Sequence, residues 1–198
     1  NNPRSIVDRI DYSNDTGTTP TKGPLSVARR RVAATGNTSY GYFGGGYDPS
    51  PFSTVDRIDY SNDTPTASPK GPLSSARYYN SNGATSSTAN ALPQTYSQGT
   101  AGTYGAGYFG GGGGSPYKSR VERIDYSNDT ATTSVRGSLS AARWYIMATS
   151  SSSHGYWMGG KNPSPAAVST VDRVDYSNDT PTASARGPLD TAGYRGMN

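Results

Sequence analysis

The chain has 198 residues, no cysteine and a formal net charge of +4, which excludes disulfide bonds and thiolate metal sites. Its 25 Gly and 14 Pro exclude long helices, because a Gly costs about 1 kcal/mol and a Pro about 3 kcal/mol in a helix interior. Basic residues are scattered, which argues against nucleic-acid binding, and no apolar run is long enough to span a membrane. Leu, Ile and Phe are sparse, so we expect strands and turns packed by the 16 Tyr.

A ten-residue string is the first landmark of an internal repeat. It reads Val-Asp-Arg-Ile-Asp-Tyr-Ser-Asn-Asp-Thr from Val7 and Val55, and it recurs with one conservative change from Val121 and Val171. The copies lie 48, 66 and 50 residues apart, a spacing typical of propeller blades except for the long interval. The β-branched and aromatic residues predict a strand, and Ser-Asn-Asp-Thr predicts a tight turn.

Two further landmarks follow each string in a fixed order. The first is Lys/Arg-Gly-Pro-Leu, beginning at Lys22, Lys70 and Arg186, with Ser in place of Pro after Arg136; three copies continue to an Ala-Arg that ends at Arg29, Arg77 and Arg143. The second is an aromatic pair that runs into glycines, which include Gly44, Gly45, Gly110, Gly111, Gly159 and Gly160. Proline suits an outer strand or a link. The glycines predict places where another backbone passes too closely for a Cβ atom.

These landmarks resemble the kelch repeat. The resemblance lies in a strand ending in a glycine doublet, a strand reading Val-x-x-Ile-Asp-Tyr, and a segment with Pro-Leu followed by Arg. It implies an all-β fold, a β-propeller of four-stranded blades. The Trp that kelch repeats usually carry after the turn is replaced by Thr or Ser. The strings Tyr-Phe-Gly-Gly-Gly and Asp-Tyr-Ser-Asn-Asp-Thr are also similar to repeats in predicted virion structural or tail-fibre proteins of cyanophages.

The phase of the repeat predicts a single repeat domain over 1–198. Three full blades are expected at about 28–73, 76–139 and 142–189, with partial blades at 1–25 and 190–198. The partial blades predict self-association, or pairing with other virion or filament subunits, because unpaired terminal strands are exposed edges. A Ser-, Thr- and Asn-rich segment at about 80–107 accounts for the long interval and predicts an inserted loop, which is either a recognition loop or a tolerated flexible insertion.

Catalytic and metal-binding patterns are weak in this sequence. A formal Gly-x-Gly-x-x-Gly at 105–110 lacks a following helix, so it predicts a structural turn and no nucleotide. His154, the only histidine, follows three serines and is expected to be an exposed loop residue. Acidic residues recur as Asp8, Asp11, Asp15 and their equivalents in the later copies, which for Asp11 are Asp59, Asp125 and Asp175. They predict structural ion pairs more than calcium sites, with Arg57 and Asp59 on the same side of their strand and facing the next blade, for example Arg77. No catalytic residue, metal site or cofactor is therefore predicted.

The function predicted from the sequence is non-enzymatic recognition. We expect a virion fibre or surface component, in the virion or outside the cell, whose propeller loops bind a glycan or receptor of the host. Candidate contacts are Tyr96, Tyr104, Tyr117, Trp144 and His154. The alternative is an architectural subunit of an extracellular filament or coat with no ligand of its own, and a glycan-active enzyme is a third hypothesis that would need paired carboxylates. Formal N-glycosylation acceptors occur at Asn14, Asn37, Asn62, Asn128 and Asn178.

Overall fold

A computed structural model describes residues 2–11, 13, 16–78, 84–86, 105–164 and 166–194. In this part of the chain every regular element is a β-strand. The strands are β1 (Val7–Asp8), β2 (Thr21–Lys22), β3 (Ala33–Gly36), β4 (Tyr40–Gly44), β5 (Val55–Asp59), β6 (Ser68–Lys70), β7 (Ala84–Ser86), β8 (Ala106–Gly110), β9 (Arg120–Asp125), β10 (Ser134–Ser138), β11 (Met147–Ser150), β12 (His154–Met158), β13 (Val171–Asp175) and β14 (Ser184–Arg186). No helix that could cross a membrane occurs among these residues.

The strands form three four-stranded antiparallel sheets and one two-stranded sheet. Sheet 1 has the order β3-β4-β5-β6, sheet 2 the order β7-β8-β9-β10, and sheet 3 the order β11-β12-β13-β14; β1 and β2 form the two-stranded sheet. Each four-stranded sheet is a meander, because every strand pairs with its neighbour in sequence. The fold is therefore all-β and propeller-like in its arrangement.

The hydrophobic core lies between consecutive sheets. One cluster joins Tyr42 and Val55 of sheet 1 to Phe109 and Ile124 of sheet 2, and a second joins sheets 2 and 3 around Trp157. A smaller cluster joins the two-stranded sheet to sheet 1. Tyr42 and Tyr108 are 0% and 2% exposed, which confirms the expectation that tyrosine replaces leucine as a packing residue.

The first strands of the three four-stranded sheets, β3, β7 and β11, pack together. Strand β7 packs against both β3 and β11. Thr35 donates a hydrogen bond from its Oγ1 to the carbonyl of Thr85 (2.8 Å), and Ser86 donates from its Oγ to the carbonyl of Gly36 (2.7 Å). These hydrogen bonds join the first strands of sheets 1 and 2.

The predicted inserted loop at 80–107 is partly wrong. Residues 84–86 form β7, and β8 has already begun at Ala106. A strand of three small residues, Ala-Thr-Ser, carries no apolar alternation, so the sequence pattern alone did not separate it from the surrounding polar segment. The rest of the predicted loop lies outside the described residues, except Gly105.

Candidate functional site

In three of the Asn-Asp-Thr strings the aspartate, Asp63, Asp129 or Asp179, reaches back to the preceding sheet. Asp129 Oδ2 accepts hydrogen bonds from Tyr42 Oη (2.9 Å) and Arg57 Nη1 (2.6 Å), and Lys70 Nζ lies 3.6 Å from its Oδ1. Burial, reinforced by Asp129, raises the pKa of the Tyr42 phenol well above its usual value, so this hydroxyl stays a donor. We call Tyr42, Arg57 and Lys70 an aspartate-binding cluster.

The cluster recurs between sheets 2 and 3. Asp179 Oδ2 accepts from Tyr108 Oη (3.0 Å) and Arg123 Nη1 (2.9 Å), and Arg136 Nε lies 3.4 Å from the same oxygen. A simpler version joins the two-stranded sheet to sheet 1, where Asp63 is bound by Arg9 and Lys22. The sequence predicted structural ion pairs for the recurring acidic residues without giving partners for these aspartates; in the structure they bind one sheet to the next.

A second arrangement, built on a fully buried ion pair, spans each of the same interfaces. Arg77, whose backbone lies against sheet 1, pairs with Glu122 on β9 of sheet 2, and neither side chain is exposed. Glu122 also accepts hydrogen bonds from the backbone N–H and Oγ of Ser74 (2.7 and 2.8 Å). We call this pair of donors, Ser74 and Arg77, a Ser-Arg clamp. The same clamp holds Asp56 through Ser26 and Arg29, and Asp172 through Ser140 and Arg143.

The predicted pairing of Arg77 with Arg57 or Asp59 of the preceding blade is wrong. The partner of Arg77 is Glu122, and Arg57 pairs with Asp129 instead. Asp59 serves its own turn, where its Oδ1 accepts from the backbone N–H and Oγ of Ser61; these bonds lower the pKa of Asp59. Asp11, Asp125 and Asp175 accept from Ser13, Ser127 and Ser177 in the same way.

The glycines that end the aromatic landmark were predicted to lie against another backbone, but Gly44 and Gly110 lie against an aromatic ring. A Cβ at Gly44 would lie 2.6 Å from Cε1 of Phe109 on the next sheet, and one at Gly110 would lie 2.5 Å from Nε1 of Trp157. The following pairs, Gly45-Gly46, Gly111-Gly112 and Gly159-Gly160, have positive φ. The backbone-to-backbone approach between sheets is closest at the glycine before Pro-Leu: a Cβ at Gly71 would overlap the carbonyl of Ala131.

Tyr117 and Trp144 form an aromatic pair on the loop side of sheets 2 and 3. Tyr117 lies in the β8–β9 loop, and Trp144 directly follows the clamp residue Arg143. The backbone N–H of Arg143 donates to the carbonyl of Lys118 (3.2 Å), which places the two rings together, 4.0 Å apart and 10° from parallel. Trp144 is buried beneath Tyr117, of which 37% is exposed.

The aromatic surface continues along the neighbouring loop of sheet 3. Tyr145 follows Trp144 and lies 6.0 Å from Tyr194, and the ammonium group of Lys161 lies 4.0 Å from the centre of the Tyr194 ring. Tyr194 is 40% exposed. The Lys161 ammonium over the Tyr194 ring adds a positive charge beside these aromatic side chains.

His154, another predicted contact residue, does not join this surface. His154 is not a loop residue: it begins β12, pairs in register with Asp175, and has its Nδ1 2.8 Å from Ser153 Oγ. Its other ring nitrogen lies 3.8 Å from Asp175 Oδ2. Tyr96 and Tyr104 lie outside the described residues.

The predicted glycosylation acceptors that fall within the described residues occupy turns. Asn37 Oδ1 accepts from the backbone N–H groups of Ser39 and Tyr40, so this side chain builds the β3–β4 turn. Asn62, Asn128 and Asn178 are exposed, and each accepts a hydrogen bond from the hydroxyl of the threonine two residues later. Asn14 lies outside the described residues. In the described part of the chain no group of three acidic or histidine side chains is placed to hold a metal ion.

The sequence matches no family model and no curated protein. The fold is similar to a solved structure titled "Structure of YjhT", with a TM-score of 0.63 at 13% sequence identity. The match covers 92% of this chain and 52% of that one, so this chain spans about half the length of the protein it resembles. At this identity the similarity concerns the fold alone.

Sequence reasoning named the repeated arginines Arg29, Arg77 and Arg143 and expected structural ion pairs, but it did not identify the carboxylates that these arginines bind. The buried carboxylates Asp56, Glu122 and Asp172 all stand second in the ten-residue string, and the turn aspartates Asp63, Asp129 and Asp179 stand ninth. Their recurrence was visible in the sequence. Only the packing of one sheet on the next identifies their partners.

Proposed function

We propose that this chain is a non-enzymatic recognition protein, a kelch-like β-propeller or an arc of one, whose loop surface around Tyr117 binds a glycan. The proposed blades at 28–73, 76–139 and 142–189 each contain one four-stranded sheet, with partial blades on either side. The repeat strings support a place in a virion fibre or on an extracellular surface, and the glycan would then belong to a host cell.

The exposed ring of Tyr117, stacked on Trp144, is the observation that carries this proposal. Trp144 fixes the plane of Tyr117, so little side-chain freedom remains to be lost on binding. A fixed aromatic face with a hydroxyl at its edge matches a sugar ring, which has an apolar face and a polar rim. Lys161 over Tyr194 adds a cation on the same side of sheet 3 and favours a sugar that carries a carboxylate.

A glycan array with the 198-residue chain tests the proposal. We expect binding to at least one glycan, with affinity reduced at least tenfold by Tyr117→Ala, an energy of about 1.4 kcal/mol. Tyr60→Ala is the matched control, since Tyr60 is 51% exposed. Tyr60 follows β5, whereas the loop of sheet 1 that corresponds to the Tyr117 loop precedes β5, so the two lie at opposite ends of this strand. The thermal midpoint of each variant checks that it is folded. Absence of binding to every glycan, or equal binding by Tyr117→Ala and the parent chain, would remove the proposal.

A further inference from the structure

The loops on one side of the three four-stranded sheets are joined into a common surface. It consists of the β4–β5, β8–β9 and β12–β13 loops and of the described residues in the links that precede β3, β7 and β11; we call it the loop face. The backbone N–H of Arg77, in the link before β7, donates to the carbonyl of Phe52 in the β4–β5 loop (3.0 Å). The next residue, Tyr78, donates to the carbonyl of Gly113 in the β8–β9 loop (3.1 Å). Loops of neighbouring sheets therefore share one surface.

A second group of rings and cations lies on the loop face between sheets 1 and 2. The ring of Tyr47, in the β4–β5 loop, lies 5.1 Å from the ring of Tyr78. The guanidinium carbons of Arg30 and Arg31 lie 5.3 and 6.0 Å from the centre of the Tyr47 ring. We call these four residues the Tyr47 group. Tyr78 directly follows a clamp arginine, as Trp144 does, so the Tyr47 group is equivalent in position to the aromatic pair of Tyr117 and Trp144.

A backbone of unfavourable conformation carries a long side chain onto the loop face in two equivalent places. Arg31 has a φ of 63° and Tyr145 a φ of 56°, and each stands second after a clamp arginine. Side chains other than Gly, Asn and Asp adopt this conformation at a cost in free energy, and such residues are concentrated at ligand sites. The other positive-φ positions of the described loops are glycines. At these two positions an arginine and a tyrosine therefore stand where glycine would be less strained.

The loop face has an excess of positive charge. By sequence it contains one acidic residue, Asp48, and four basic residues besides the clamp arginines, namely Arg30, Arg31, Lys118 and Lys161, within 23–32, 45–54, 71–78, 111–119, 139–146 and 159–170. The clamp arginines are bound to buried carboxylates. Burial, together with the guanidinium groups of Arg120 and Arg77, lowers the pKa of the Lys118 ammonium. Positive charges thus repel one another beside Tyr117, and a bound anion would reduce this repulsion.

The β8–β9 loop connects the two aromatic groups. Its Gly113 pairs with Tyr78, and its Tyr117 stacks on Trp144. Four residues of chain span at most about 14 Å, so the two groups are close enough for one extended ligand. The rings of Tyr47 and Tyr78 are inclined by 57°, so they present hydroxyl-bearing edges as well as faces. This arrangement suits the polar rim of a sugar better than the stacked bases of a single-stranded nucleic acid.

We propose that the Tyr47 group is a second glycan subsite, and that the ligand of the loop face is an anionic polysaccharide whose sugars contact both aromatic groups. Arg30 and Arg31 would bind anionic substituents at the Tyr47 group, as Lys118 and Lys161 would beside Tyr117 and Trp144. The inference rests on the proposed function, because it assumes that a glycan binds at Tyr117.

Binding of dextran derivatives to the full chain tests the charge and the length of the ligand. The probe is carboxymethyl dextran in fragments of increasing length, and uncharged dextran of the same lengths is the control. We expect the charged fragments to bind more tightly, with affinity rising about tenfold or more once a fragment reaches both groups, and falling as the salt concentration is raised. Equal affinity for charged and uncharged fragments, or no dependence on length, would overturn the proposal. Tighter binding of a thymidine oligonucleotide of similar length would also overturn it.

Arg31→Gly separates a role in binding from a role in folding. It removes a cation from the Tyr47 group and also the unfavourable φ, so the affinity for a long charged fragment should fall about tenfold while the thermal midpoint stays equal or rises. Arg186→Gly is the matched control, because it makes the same substitution at an exposed residue of the outer strand β14 and should leave the affinity unchanged. A lower thermal midpoint for Arg31→Gly, or an unchanged affinity, would contradict the assignment.

Comparison with Tyr117→Ala distinguishes the two proposals. We expect Tyr47→Ala to weaken the binding of long charged fragments and to leave the binding of the shortest glycans at Tyr117 unchanged. If Tyr117→Ala weakens glycan binding while Tyr47→Ala and Arg31→Gly leave the affinity for long fragments unchanged, the second subsite is wrong and the proposed function stands. If Tyr117→Ala also has no effect, both proposals are wrong.

Discussion

Gly71→Ala is the substitution for which the structure predicts the most local and severe effect. A Cβ at this position would overlap the carbonyl carbon and oxygen of Ala131 in the turn of sheet 2. Both atoms are backbone, so the overlap is relieved only if the turn moves away. Such overpacking costs about 1–3 kcal/mol. The movement also breaks the 2.7 Å hydrogen bond from the Gly71 N–H to the carbonyl of Asp129, worth about 1 kcal/mol.

The same movement draws the Asp129 carboxylate away from Tyr42 and Arg57, so the whole change should cost about 3–5 kcal/mol. For a chain of this size that lowers the thermal midpoint by roughly 6–20 °C, measured by circular dichroism or calorimetry. Gly187→Ala is the matched control in the last repeat, where the added Cβ meets no atom within 4 Å. Equal midpoints for the two variants would refute the role assigned to the turn of the next sheet.

Two further predictions concern the buried polar groups. Arg77→Met leaves Glu122 as an uncompensated buried charge and should lower the free energy of unfolding, measured in urea, by about 3–5 kcal/mol. Adding Glu122→Gln should recover much of that loss. If the effects of the two substitutions on the free energy of unfolding simply add, the pairing is contradicted. The exposed Arg4→Met serves as its control. Burial raises the pKa of Tyr126 to about 12 from 10.0. The neutral phenol therefore contributes fully to the free energy of unfolding below pH 10, and this contribution, about 2 kcal/mol, is lost as the pH rises towards 12. Tyr126→Phe should reduce the fall in unfolding free energy between pH 9 and 11.5, and an unchanged fall would refute this assignment.

The strands and turns could be predicted because their signals are local. The β-branched and aromatic residues of Val-x-x-Ile-Asp-Tyr and the turn-forming Ser-Asn-Asp-Thr act within a few residues of themselves, and β5, β9 and β13 lie where that string stands. Strand β7 was missed because Ala-Thr-Ser has no local signal, and it forms by pairing with β8. His154 was misplaced for a related reason, since pairing with Asp175 extends β12 into a serine-rich segment.

The aromatic surface was predicted only in part. Tyr117 and Trp144 were both named as contacts from their residue type, but their stacking depends on the hydrogen bond that joins Arg143 to Lys118, 25 positions away. Tyr145, Tyr194 and Lys161 were not named. Residues that meet across two loops leave no short-range pattern in a single sequence.

The sequence by itself determined the repeat, the all-β class and the use of tyrosine as a packing residue, because hydrophobic alternation and turn chemistry act over short distances. The tertiary structure decided what the repeated charges do. Asp129 and Glu122 belong to the same copy of the ten-residue string, yet Asp129 binds Tyr42 and Arg57 on two strands of sheet 1, whereas Glu122 is buried and bound by Arg77 and Ser74. Those roles depend on how closely one sheet approaches the next.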